Sequence, residues 1–221
     1  MGMRGIVGIE AAIVLIAFVL VASALAFVAI NMGMFASQKS KEIMARAYES
    51  STKSLDVAGN ALGKVVNVGG TVGDEAVSIV YIPVKLTGGA RPIDLSKTVV
   101  SVLLQLPNGT SKALAQAVNS DALTSLSVIS SLDEITFKDP VTNVTTNATW
   151  ATAQGNDNLL LEPGEVVILA INASDILGAA GLPAYSNVEV EIKPSSGATI
   201  VVRYEVPPTL TSEYVDLIMG G

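Results

Sequence analysis

The chain has 221 residues, half of them apolar and 15% charged, with 13 Lys and Arg against 20 Asp and Glu, no Cys, no His and a mean hydropathy of +0.53. No disulfide framework, thiolate nucleophile, imidazole base, Ser-His-Asp triad or thiol-ligated zinc or iron-sulfur site can be built from this composition. A formal charge of -7 repels phosphate backbones and argues against nucleic-acid binding, while the length admits one domain of ordinary size plus an appended element.

That element is N-terminal. From Ala11 to Ser37 there are 27 residues without a formal charge, dominated by Ala, Val, Leu, Ile and Phe. About 20 such residues span a bilayer core, and at roughly 1.5 Å per residue this run makes a rod of about 40 Å, so a transmembrane-type helix is expected. Past Ser37 the sequence stays helix-friendly through Lys39, Glu42, Met44, Arg46, Glu49 and Lys53, with no proline before Pro83. The helix is therefore expected to run on toward Gly59 or Gly63, its last part amphipathic, with Ile43, Ala47, Leu55 and Ala58 among charges.

The residues before the run do not follow the plain secretory order of cationic region, apolar region and small-residue cleavage site. The cationic stretch is only Met1 to Arg4, a glycine stands at position 5, and an acidic residue, Glu10, sits inside the start of the apolar segment. A carboxylate in hydrocarbon costs about 2.5 to 3.5 kcal/mol on insertion scales and needs a partner. A cut after Gly5 would put a new amino group on Ile6, one helical turn from Glu10, where it can pair within the chain or with a neighbouring subunit.

The stretch Arg4-Gly5-Ile6-Val7-Gly8-Ile9-Glu10-Ala11-Ala12-Ile13-Val14-Leu15-Ile16-Ala17-Phe18 resembles the N-terminus of archaeal flagellins (archaellins), within the wider type IV pilin-like group. The resemblance implies a leader, residues 1–5, removed by a prepilin-type peptidase between Gly5 and Ile6, and an assembly role for Glu10 and the Ile6 amine. It implies a helix over 6–62 that is held in the membrane before assembly and then forms the filament core, and an outer β-domain over 63–221. Its partners would be copies of itself or sister archaellins in a helical homopolymer, together with the archaellum assembly and motor machinery. The filament would be extracellular, serve swimming motility and involve no enzyme activity, cofactor or metal. Two other readings share the apolar helix: an adhesive archaeal pilin, and a signal-anchored surface protein that keeps residues 1–5 and displays a binding domain.

From about Val65 the period changes. Segments at 76–86, 97–106, 135–138, 165–172, 187–193 and 198–206 are rich in Val, Ile and Leu and are broken by Gly, Pro and Asn, which predicts strands. Asn187 to Lys193 alternates apolar and polar residues, the pattern of a sheet with one wet face. With turns such as 87–92, Pro107-Asn108-Gly109 and 194–197, the fold class is α+β: a long N-terminal hydrophobic α-helix followed by an antiparallel β-sandwich or barrel. The resemblance makes that sandwich immunoglobulin-like. Residues 114–131 are expected to form a short helix or loop with Asp121 as N-cap. The ending Tyr214-Val215-Asp216-Leu217 is similar to archaellin C-termini, where the last strand and tail pack on the domain.

Four Asn-X-Ser/Thr sites stand in or beside turn-like stretches, at Asn108, Asn143, Asn147 and Asn172, and are candidate glycan acceptors. Because archaellins are commonly N-glycosylated, the resemblance implies that some are used. The acid clusters Asp133-Glu134, Asp157 between Asn156 and Asn158, and Glu189 with Glu191 raise the question of catalysis or metal binding. Glu189 and Glu191 share a sheet face and read as solvated surface. Asn156-Asp157-Asn158 has oxygen ligands suited to Ca²⁺ but lacks the twelve-residue loop ending in Glu, so turn chemistry is the preferred role. No Gly-rich phosphate loop follows a strand.

Overall fold

The computed structural model describes residues 6–67, 74–87, 91–118, 126–137, 145–178 and 181–220. Two compact units divide the chain, Met1–Tyr48 and Glu49–Gly221. The first unit is the body of a single helix, α1 (Ile6–Thr52). A run of mostly apolar side chains with no proline leaves the helix as the way to satisfy its backbone polar groups internally. Apart from Glu10, charge appears only in its last third, where Glu42 accepts from Lys39 at 2.8 Å and from Arg46 at 2.7 Å, spacings that place all three side chains on one face.

The helix stops at Thr52, short of the Gly59 or Gly63 end that the sequence suggests. The residues beyond it are taken by the second unit. Leu55–Val57 forms β1, Leu55 and Ala61 are buried in the core, and Leu62–Asn67 forms β2. Helix-friendly composition there is overridden by core burial. The turn at 194–199 holds the first residue past the helix: Ala198 N–H donates to the Lys53 carbonyl at 3.1 Å, and Lys53 Nζ donates to Ser196 Oγ at 2.7 Å. Gly197, at φ +122°, lies so close to that carbonyl that a Cβ would sit 2.3 Å from it, so only glycine fits.

The β-domain continues with β3 (Glu75–Leu86), β4 (Ile93–Asp94), β5 (Val99–Gln105), β6 (Ser111–Leu114), β7 (Ser127–Val128), β8 (Ala148–Gln154), β9 (Leu160–Leu161) and β10 (Val166–Asn172). The short helix α2 (Ala173–Leu177) follows, then β11 (Asn187–Lys193), β12 (Ile200–Glu205), β13 (Tyr214–Asp216) and β14 (Ile218–Met219). Among the described residues these make two main sheets. The first runs β13-β2-β3-β10-β8-β7 with β1 also on β3, the second runs β14-β12-β11-β5-β6, and β4 pairs with β9 alone. All pairings are antiparallel except β7 with β8.

One hydrophobic core joins the sheets. It contains Val80, Ile82 and Val84 from β3, Leu169 and Ile171 from β10 and Trp150 from β8, together with Val102 and Leu104 from β5 and Val188, Val190 and Ile192 from β11. This is the sandwich arrangement of two sheets sharing their inner faces. The second sheet keeps the simple alternation: in β11 the three apolar residues point inward while Asn187, Glu191 and Lys193 are exposed. The first sheet does not. Its other face carries a second cluster of Tyr81, Ala151, Ile168 and Ala170, covered by Ile129 and Ile135. Thus β10, Val-Val-Ile-Leu-Ala-Ile-Asn, is apolar on both sides because both sides are dry.

The segment that covers this face replaces the strand expected at 135–138. Leu132–Glu134 is a turn of 3₁₀ helix, capped by Ser131 and Glu134 in reciprocal hydrogen bonds, and Ile135 follows it into the second cluster. Of the expected helix or loop at 114–131, Asp121 lies outside the described residues, and the described flanks are strand ends and β7. Pro83 sits inside β3 without breaking it. On the side its carbonyl faces, β1 ends opposite Val84 and β2 begins opposite Tyr81, so the missing N–H falls in the gap between them.

Candidate assembly surface

The surface with the strongest chemical character is α1. Every described side chain from Gly8 to Tyr48 is exposed, including Phe18 at 75% and Leu25 at 66%. The apolar residues go all the way round, and a helix of this kind belongs in lipid or inside an assembly rather than against one face of its own domain. Glu10 is the one acidic side chain of this surface before Glu42, with Ile13 and Val14 as its neighbours one turn on. No basic residue lies between Arg4 and Lys39. Ile6 is the first residue of α1, one turn before Glu10, and Gly5 lies outside the described residues.

The candidate glycan acceptors are sorted by the fold. Asn108 stands on the exposed turn between β5 and β6, where its Oδ1 accepts from Thr110 N–H at 2.9 Å and leaves the amide nitrogen facing solvent. Asn147 is half-buried at the entry to β8, next to the fully buried Ala148. Asn172 ends β10 and caps α2: its Oδ1 accepts from Asp175 N–H at 3.2 Å and its Nδ2 donates to Asp175 Oδ2 at 2.9 Å. The nitrogen a glycan would need is engaged at Asn172 and free at Asn108. Asn143 lies outside the described residues.

The acid clusters resolve into local structure. Asn156 Oδ1 accepts from Asn158 N–H at 3.0 Å, Asn158 Oδ1 from Leu160 N–H at 2.8 Å, and Glu165 takes the N–H groups of Asn156 and Glu162. These are turn-forming bonds, as the preferred reading of that stretch expects. Glu189 pairs across strands with Arg203 at 2.8 Å. Asp133 is different, and sequence reasoning missed its role. Lys64 Nζ and Tyr214 OH both donate to its Oδ1, the tyrosine at 2.7 Å, and Tyr81 OH reaches the Leu132 carbonyl at 3.4 Å. Hydrogen bonds from Lys64 and then Tyr214 hold the Asp133 carboxyl below its usual range. Burial, reinforced by the charge of Asp133, pushes the Tyr81 phenol up to about 12, and burial and the Asp133 bond raise Tyr214 as well. No local sequence signal joins residues 69 and 81 positions apart.

This cluster clasps the C-terminal tail. β13 pairs with β2 in the first sheet, Leu217 enters the core, and β14 pairs with β12 in the second sheet, so six consecutive residues bind both halves of the sandwich. Leu217 N–H donates to the Ala61 carbonyl at 2.9 Å. Packing of the last strand and tail on the domain agrees with the expectation for that ending.

The profile of the archaeal-type flagellin family matches residues 5–204. A probable flagellin of Aeropyrum pernix is 35% identical over 94% of each chain, and one of Archaeoglobus fulgidus is 33% identical over 97% of this chain and 98% of its own. Among solved structures, the archaeal flagellum of Methanospirillum hungatei matches with a TM-score of 0.60 and 25% identity, covering 96% of this chain and 98% of that one. The crystal structure of a flagellin from Methanocaldococcus jannaschii matches in fold, with a TM-score of 0.53 at 18% identity over 76% of this chain and 99% of that one. The chain belongs to the archaeal-type flagellin family: it is a structural archaellin.

Proposed function

We propose that this chain is made as a membrane-held precursor and polymerises, with copies of itself or sister archaellins, into the extracellular filament of an archaeal flagellum used for swimming. A prepilin-type peptidase cuts between Gly5 and Ile6. The observation that carries this reading is the fully exposed apolar surface of α1 from Gly8 to Ser37, broken by a single carboxylate, Glu10. In the precursor that surface lies in lipid. In the filament it lies among other copies of α1, with the β-domain outside and the archaellum motor machinery turning the assembly at its base.

The transfer is driven by packing, since lipid tails are as apolar as the side chains they would leave, and Ala11, Ala12, Ala17, Ala22, Ala26 and Ala29 let helices approach closely. Glu10 is held by the amine that cleavage creates on Ile6, its own or a neighbour's, because no basic side chain is near it in sequence. Contacts that repeat without closing into a ring give an open helical polymer. On the outside, Asn108 is the described acceptor best placed to carry a glycan. The test is mass spectrometry of the N-terminal peptide of filaments sheared from cells. A chain beginning at Ile6 is expected, with added mass on the peptide containing Asn108; a chain beginning at Met1 overturns the processing step and the assembly built on it. In parallel, Gly5→Val is expected to block processing and leave no filaments, since a β-branched residue does not fit a site that accepts glycine.

A further inference from the structure

Between Ala11 and Ala36 the only side chains with an O–H or N–H donor are Ser23 and Asn31. Ser23 is satisfied within its own helix, where its hydroxyl donates to the Val19 carbonyl at 2.7 Å. Asn31 is not: it is exposed, it makes no side-chain hydrogen bond among the described residues, and its neighbours one turn away are Phe27, Val28, Met34 and Phe35. None of these side chains offers a carboxamide more than the weak acceptor of the Met34 thioether. Away from water, in lipid or among copies of α1, a carboxamide in this position needs a partner that another chain can supply.

Two residues on is Gly33, in the middle of the helix, where glycine weakens helical structure relative to alanine. Nothing inside the chain requires it, because a Cβ at Gly33 would meet open space. On an α-helix, positions two apart lie about 200° round and about 3 Å along the axis, so Asn31 and Gly33 mark nearly opposite faces at one level. One face projects a polar group, and the other bares backbone carbonyls whose second lone pairs can accept. That is the form a heterologous contact takes, in which one patch of a subunit meets a different patch of the next.

We propose that Asn31 and Gly33 are the two halves of one register-setting contact between copies of this chain, the Asn31 carboxamide of one α1 seated on the uncovered backbone beside Gly33 of its neighbour. The inference rests on the reading that α1 packs among its copies in the filament. A single polar contact in an otherwise greasy surface fixes the axial offset of neighbouring helices, which uniform apolar packing leaves undetermined, as a lone buried asparagine does in coiled coils.

The test is a double-mutant cycle on filaments from an archaellin-deletion strain carrying each variant, measuring subunit released by heating at a fixed temperature. Asn31→Ala and Gly33→Ala should each raise the released fraction about tenfold, and the double variant should do no worse than either alone. Circular dichroism of the released subunits should show the wild-type fold in all three. Additive effects, or released fractions equal to wild type, would overturn the contact. Leu25→Asp separates this from the parent reading: it should abolish filaments if α1 is buried among copies. Loss of filaments in Leu25→Asp with unchanged Asn31→Ala and Gly33→Ala removes only the register contact, whereas normal filaments in Leu25→Asp remove both.

Discussion

Leu25 and Leu169 are the same side chain in opposite circumstances. Leu25, in α1, is 66% exposed, and Leu169, in β10, is fully buried between two sheets. The β-domain solves its hydrophobic problem internally: strands alternate, sheets share a core, and a capped 3₁₀ turn covers the face that would otherwise be wet. The helix has no such solution within the chain, because its apolar residues occupy every face and a single partner can cover only one of them. The difference teaches that one part of the molecule folds for itself and the other is finished only by lipid or by other copies.

Substitutions that touch assembly should therefore separate from those that touch folding. The largest effect is expected from Glu10→Ala, which leaves the precursor inserted but lowers filament yield by at least about tenfold, read by electron microscopy and immunoblotting of sheared material. Wild-type yield would show that pairing with the Ile6 amine is dispensable. Next, Leu169→Ala removes a fully buried side chain and should destabilise the β-domain by about 2 to 5 kcal/mol in denaturant unfolding. Leu25→Ala should change that same unfolding by less than about 0.5 kcal/mol, and an equal effect would erase the distinction between the two units. A smaller change, a drop in Tm of at most roughly a few degrees, is expected for Tyr214→Phe, which takes one donor from Asp133 and loosens the clasp on the C-terminal tail.

The same clasp makes the β-domain sensitive to pH at both extremes. The Tyr81 phenol is raised to about 12, so its contribution is present below its unfolded value of about 10 and is lost as pH rises from there toward 12. The Asp133 carboxyl is depressed, so its contribution is present above the ordinary carboxylate range and is lost as pH falls through it. Thermal unfolding followed between pH 9 and pH 12 should show falling stability with a smaller slope in Tyr214→Phe, since that variant removes a second raised phenol. A flat profile would contradict the burial assigned to these rings.

Much of this organisation was legible in the sequence, and the misses have physical causes. The apolar run depends on local order, which sequence reports directly, and it forms the body of α1. The strand at 187–193 matches β11 residue for residue because one of its faces is dry and the other wet. By contrast β8, Ala-Thr-Trp-Ala-Thr-Ala-Gln, was not anticipated, since its small and polar residues give no strong strand signal and its burial comes from neighbours on both sides. The end of α1 was placed too late because Leu55 and Ala61 are drawn into a core assembled from distant strands. The Asp133 clasp joins Lys64, Tyr81 and Tyr214 through tertiary contact alone. Among the glycan candidates, the motif marks the asparagines, while only the fold tells the free nitrogen of Asn108 from the engaged one of Asn172.

The central claim, that copies of the chain cover α1 in the filament, can be tested directly because the chain has no cysteine of its own. Leu25→Cys places a single thiol in the middle of the exposed apolar surface. In intact filaments a water-soluble maleimide should leave it unmodified, and after heat dissociation it should label to completion. Complete labelling in intact filaments would show that α1 stays open to solvent, and would contradict the account.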